Sequence, residues 1–175
     1  MNNIIMIGMP GSGKSTVGVV LAKSLGYHFL DSDLVIQETE QKLLHQLIEE
    51  HGEAGFLELE NRINSGIQVQ QTVIATGGSA VYGREAMAHF QSIGTIVYLK
   101  LPCEEIAMRL GDLHKRGVVL PDGYTLEDLY MERTPLYEKY AKITIDCLGK
   151  DIREIVWEIG QKTGEPEIES DNNTK

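Results

Sequence analysis

Ile4-Ile5-Met6-Ile7-Gly8-Met9-Pro10-Gly11-Ser12-Gly13-Lys14-Ser15-Thr16 opens on four apolar residues, spells G-x-x-x-x-G-K-S from Gly8 to Ser15, and runs directly into an amphipathic stretch ending at Leu25. Strand, glycine loop and helix in that order form the setting of a phosphate-binding P-loop. Phosphate oxygens have to be met by several backbone N–H groups at close range, so glycines at 8, 11 and 13 serve where a Cβ would obstruct the loop or forbid its dihedrals. The helix starts where those N–H groups point outward, and its dipole favours an anion there. This pattern predicts a nucleotide held by Gly11, Ser12, Gly13, Lys14, Ser15 and Thr16, with Lys14 reaching the β- and γ-phosphates and the Ser15 hydroxyl serving Mg²⁺. At average composition such a pattern arises by accident at roughly a few starts per hundred thousand, so a chance turn is a poor account of it.

Working outward, 175 residues suit one domain with a true core, and 42% hydrophobic with 24% charged residues is an ordinary globular composition. No apolar run approaches the ~20 residues of a membrane span, and no basic-then-apolar leader opens the chain, so a cytoplasmic protein is expected. A net charge of −10 argues against nucleic acid as partner, because that affinity comes from clustered Lys and Arg. Cys103 and Cys147 lack metal-ligand spacing and read as reduced fillers.

Tyr27 to Leu30 reads as a second strand, ending in Asp31-Ser32-Asp33 at the sheet edge where α/β proteins bind ligands. Two carboxylates there suit a metal–nucleotide and an accepting hydroxyl, although Ser32 or Asp33 could simply cap a helix beginning at Leu34. Leu34 to Glu50 has helical spacing around a polar break at 38–41, with His45 and His51 on solvated faces; Gly52 ends that helix and Glu53 opens another, to Val69, on which Glu53, Phe56 and Glu60 share a face. Thr72 to Thr76 is a third strand running into Gly77-Gly78-Ser79, either backbone brought close to a ligand or a plain tight turn. Ile93 to Leu101 is a fourth strand and Cys103 to Leu110 a helix. The aperiodic, basic segment 112–123 has the length of a mobile lid, with Arg116 as its natural catalytic cation. Thr125 to Tyr140 is a helix, Ile143 to Ile145 a last strand and Asp151 to Gln161 a final helix. A polar, frayed tail covers 163–175, leaving 1–162 as a single domain without repeats.

These residues together resemble the shikimate kinases, small P-loop enzymes of the nucleoside-monophosphate-kinase-like group. The resemblance rests on Gly8 to Gly18, Asp31-Ser32-Asp33, Gly52-Glu53-x-x-Phe56 with Glu60, Gly77-Gly78, the basic segment and Arg133-Thr134-Pro135-Leu136-Tyr137. It implies a five-stranded parallel sheet of order 2-3-1-4-5 flanked by helices, and transfer of the ATP γ-phosphate to a ring hydroxyl by a cytoplasmic monomer with no membrane or nucleic-acid partner. Carried over by motif, Ser15 and Asp31 would serve Mg²⁺ and Asp33 would orient or deprotonate the accepting hydroxyl. Gly77 and Gly78 would meet the substrate, Arg133 its carboxylate, and Arg116 would close over the phosphates; Arg109 and Lys150 would lie beside the adenine.

Three positions depart from the family pattern. The arginine that follows Phe56, grips the carboxylate and is steadied by the Glu60 position is Leu57 here; the third glycine is Ser79; and the lid reads Arg116-Gly117-Val118-Val119. The phosphate machinery is complete while the acceptor side is altered, so the expectation is a kinase for a small hydroxylated metabolite, shikimate first. A polyol, sugar acid or hydroxy amino acid is the alternative, and a silent nucleotide-binding homologue a more distant one.

Overall fold

The computed structural model describes residues 3–111 and 123–165. Five short strands form one parallel sheet: β1 (Asn3–Ile7), β2 (His28–Asp31), β3 (Thr72–Ala75), β4 (Gly94–Lys100) and β5 (Ile143–Asp146), in the order β2-β3-β1-β4-β5. All five residues of β1 and all four of β3 are buried, as strands covered on both faces must be. β1 pairs with β3 through Ile5 and Ile74 and with β4 through Ile5 and Ile96, which puts the P-loop at the sheet's centre.

Seven helices accompany the sheet among the described residues: α1 (Lys14–Leu25), α2 (Ser32–Glu40), α3 (Leu44–Ser65), α4 (Arg84–Ile93), α5 (Cys103–Leu110), α6 (Leu126–Tyr140) and α7 (Ile152–Thr163). The main core gathers the strands with Val17 and Leu21 of α1, Phe90 of α4, Ile106 of α5, Tyr137 of α6 and Ile159 of α7. A second cluster stands apart from it, made of Ile36 on α2 and Leu47, Phe56 and Leu59 on α3.

Several boundaries differ from the sequence reading. Asp31, not Ser32 or Asp33, caps α2: its Oδ1 accepts from the Asp33 N–H at 3.0 Å, so the helix starts at Ser32. Gly52 (φ 68°, ψ 176°) breaks α3 where two helices were expected, but the second half stops at Ser65 rather than Val69. α4, with a short 3-10 turn over Ala80–Tyr82 before it, was not read at all. α7 runs to Thr163, past the expected domain boundary at 162; the rest of the tail from 166, and the lid segment 112–122 with Arg116, lie outside the described residues. Both cysteines are free; Cys103 is half-buried and Cys147 wholly buried.

Candidate active site

β1 delivers the chain to the glycine loop, and Gly13 ends the loop in the left-handed region at φ 94°, a conformation that L side chains rarely adopt, before α1 begins at Lys14. Lys14 is buried, and its Nζ donates to the Gly8 and Met9 carbonyls at 2.9 Å each. Burial pulls its pKa down to about 8, opposed by the nearby charges of Asp33 and Asp31. Ser12 turns inward: its N–H donates to the Met9 carbonyl at 3.1 Å and its hydroxyl is buried.

β2 and the start of α2 bring the acidic pair to the same edge. The Ser15 hydroxyl donates to Asp31 Oδ2 at 3.0 Å, so two oxygen ligands of the kind hard cations take lie side by side. No cluster of three or more His, Cys, Asp or Glu able to hold a metal occurs among the described residues. A cation here would therefore draw its remaining ligands from phosphate and water, which is the habit of Mg²⁺. Asp33 lies deeper, and burial raises its pKa to about 6, assisted by Asp31 and opposed by Lys14.

The loop after β3 explains its two glycines by contact. A Cβ at Gly77 would stand 2.7 Å from Asp33 Oδ1 and 2.9 Å from Glu60 Oε1; one at Gly78 would stand 2.8 Å from Pro10 Cδ and 2.9 Å from Arg133 Nη1. Only glycine lets this backbone pass between two carboxyl groups on one side and a guanidinium on the other. Glu60 is 2% exposed; Ser79 donates to its Oε2 at 2.7 Å while Oε1 has no partner. Burial raises its pKa to about 7, with the Ser79 bond and Arg133 pulling the other way and Asp33 adding to the rise.

α6 supplies Arg133 and, one turn later, Tyr137. Tyr137 is buried, stacks on Tyr98 with ring centroids 5.1 Å apart, and donates to the Gly78 carbonyl at 2.7 Å, tying the glycine loop to the helix. Arg133 is 8% exposed, and no carboxylate lies within ion-pair distance of it among the described residues. Its guanidinium sits over the Tyr82 ring, 5.4 Å from the centroid.

One cavity of about 580 Å³, a volume suited to small-molecule ligands, brings together Lys14, Ser15, Asp33, Gly77, Gly78 and Arg133, while Ser12, Asp31, Glu60 and Tyr137 do not line it. Its nucleotide end is lined by Pro10, Gly11, Gly13, Lys14, Ser15 and Thr16, and its far end by Asp33, Gly77, Gly78, Ser79 and Arg133. Leu43, Leu44, Ile48, Phe56 and Leu57 make an apolar wall, interrupted by Gln37, His45 and Glu53. His45 is exposed, as expected of a solvated face, and also lines this wall. The break between α2 and α3 reorients the helix that carries it, and no periodicity crosses a break. Tyr82 was likewise missed, since nothing marks a residue of a 3-10 turn. Arg109 and Lys150 do not line the cavity. Arg109 lies beside Gly11 and pairs with Glu105 at 3.0 Å, and Lys150 pairs with Glu158 at 2.6 Å; both act electrostatically on the buried Cys147 thiol, whose pKa burial pushes up to about 11.

Residues 10–163 match the shikimate kinase family. The chain belongs to the shikimate kinase family. A shikimate kinase of Nostoc punctiforme is 41% identical over 140 residues, 78% of this chain and 77% of that protein. One from Persephonella marina is 34% identical over 160 residues, 91% and 97% respectively. The structure of the Acinetobacter baumannii shikimate kinase in complex with shikimate superposes with a TM-score of 0.83 at 31% identity, covering 93% of this chain and 92% of that one. The strand order expected for a shikimate kinase is the observed one, and the chain is an ATP-dependent kinase of this family.

Proposed function

We propose that the protein transfers the γ-phosphate of ATP to a hydroxyl of shikimate. The observation that carries this reading is the continuity of one cavity from the P-loop to Asp33 and on to a buried arginine that has no carboxylate partner among the described residues. A buried cation of that kind is costly until an anion meets it, and a carboxylate on the acceptor supplies one. Asp33 lines the same cavity as Lys14 and Arg133, which suits an acceptor whose hydroxyl meets the phosphate beside Asp33.

In this reading the backbone N–H groups of the loop and Lys14 hold the phosphates, with Arg109 and Lys150 near the adenine and Arg116 closing over the transferred group. Ser15 and Asp31 would hold Mg²⁺, which would supply positive charge to offset that of the phosphates. Asp33 orients the accepting hydroxyl and takes its proton as the oxygen attacks phosphorus. The Gly78 carbonyl is committed to Tyr137, so its N–H is the backbone group offered to substrate. Arg133 fixes the carboxylate, and the closing of the site excludes water. The protein works as one domain that includes the last helix to Thr163, and as a cytoplasmic monomer.

The test is a coupled assay of ADP release across shikimate, other cyclic polyols, gluconate and hydroxy amino acids. Shikimate should be consumed in step with ADP; rapid use of another acceptor with none of shikimate would overturn the assignment. That second outcome is favoured by one feature, the uncharged Leu57 in the cavity wall.

A further inference from the structure

Glu60 and Glu132 interact electrostatically with Arg133, yet among the described residues it forms no ion pair. Glu132 precedes it on α6 but is occupied elsewhere: its Oε1 accepts from the Tyr82 hydroxyl at 2.5 Å and its Oε2 from the Tyr124 hydroxyl at 2.9 Å. Tyr82 has only one hydroxyl proton and donates it to Glu132, so its oxygen turns lone pairs toward Arg133, whose Nε donates to it at 3.4 Å. The same residue offers its ring face beneath the guanidinium. Two contacts from this one side chain, beside the hydrogen bond that the Tyr137 hydroxyl shares with the guanidinium, hold the arginine in place.

We propose that Tyr82 is the positioning residue for Arg133, with Glu132 setting the direction of the phenol proton. With Nε engaged by the Tyr82 phenol and the Tyr137 hydroxyl also hydrogen-bonded to the guanidinium, the remaining terminal N–H groups are those left for the acceptor; Nη1 stands against Gly78 at the cavity's far end. Charged, planar N–H donors favour a carboxylate over a neutral amide or hydroxyl. Tyr82 thereby contributes to acceptor specificity without touching the acceptor, through an oxygen and a ring that lie behind the arginine. The substrate half of this inference rests on the assignment above; the positioning half does not.

Two measurements on Tyr82→Phe test it, since phenylalanine keeps the ring and removes the oxygen. The first follows the Arg133 Nε–H signal in ¹⁵N-labelled protein, identified by its loss in Arg133→Lys. Its exchange with solvent should be slow in the parent protein and clearly faster in Tyr82→Phe; equal exchange in both overturns the proposal whatever the acceptor is. The second is steady-state kinetics. The KM for shikimate should rise roughly five- to tenfold, with kcat and the KM for ATP within about twofold, and binding of the neutral shikimate carboxamide should not change. An unchanged KM, or a rise shared equally by ATP and the carboxamide, counts against Tyr82. Should Tyr82→Phe fail to fold, Glu132→Leu removes the acceptor of the phenol proton and must give the same pattern at smaller amplitude; no change there overturns the proposal. If the parent protein ignores shikimate altogether, the function assigned above fails, and the exchange measurement still decides the role of Tyr82.

Discussion

Glu60 is a carboxyl group on 2% of its accessible surface, held by Ser79 through one oxygen and by nothing through the other. Its pKa, raised from 4.5 to about 7 by burial, means the folded state keeps a proton that the unfolded chain has released. Below about pH 4.5 both states are protonated and the group is neutral in the balance. Stability then falls as pH rises through the window between 4.5 and about 7, by about 3 kcal/mol in all, and stays low above it. Urea unfolding of Glu60→Gln at pH 5 and pH 8 should show that fall reduced; a parent and variant with parallel pH dependence would refute it. Leu57 lies three residues before Glu60 on α3, and neighbours at that spacing meet on a helix surface. Leu57→Arg should therefore give Glu60 a cation and the cavity a second donor, lowering the shikimate KM by roughly tenfold in the same coupled assay. Asp33→Asn removes the proton acceptor while leaving the loop alone. It should cut kcat by roughly 10²- to 10⁴-fold with ADP affinity unchanged by calorimetry.

At the scale of elements, α2 and α3 form their own apolar cluster around Ile36, Leu47, Phe56 and Leu59. The packed members Leu44 and Ile48 turn their other sides to the cavity, so this cluster sets the acceptor wall and not the phosphate loop. Leu47→Ala should cost about 2–5 kcal/mol of stability by urea titration and raise the acceptor KM more than the ATP KM. This wall is also where the sequence was least legible. Spacing revealed α3 and the break at Gly52, because a glycine at positive φ leaves a visible mark. It did not reveal α4, although Ala86, Met87, Phe90 and Ile93 are all buried at helical intervals, since the turn Ala80–Tyr82 before it carries no cap signal. Nor could it show that His45 reaches the cavity, which depends on how α3 leaves α2. Asp31 escaped notice as the cap because its side chain serves two partners at once, the Asp33 N–H and the Ser15 hydroxyl.

For the whole molecule, the order β2-β3-β1-β4-β5 puts the three ligand-bearing connections, after β1, β2 and β3, on adjacent strands. The phosphate loop was readable because its chemistry is local, a run of consecutive residues. The meeting of Asp33, Glu60, Gly77 and Arg133 joins positions up to a hundred residues apart, and only family likeness foretold it. Ligand linkage provides a measure of the assembled site. At a hundredfold excess over its Kd, ADP with Mg²⁺ should add about 2.7 kcal/mol to stability, seen as a higher Tm. Chelation with EDTA should shrink that increment if Ser15 and Asp31 hold the ion; an increment indifferent to EDTA would show that they do not.

The separation of two cores has a further outcome for inheritance. Substitutions among Ile36, Leu47, Phe56 and Leu59 disturb contacts that helices α2 and α3 make with each other, while the sheet and its glycine loop pack on a different set of side chains. Descendants of this chain can thus drift toward new alcohols by recutting one wall, with the grip on triphosphate passed down unaltered.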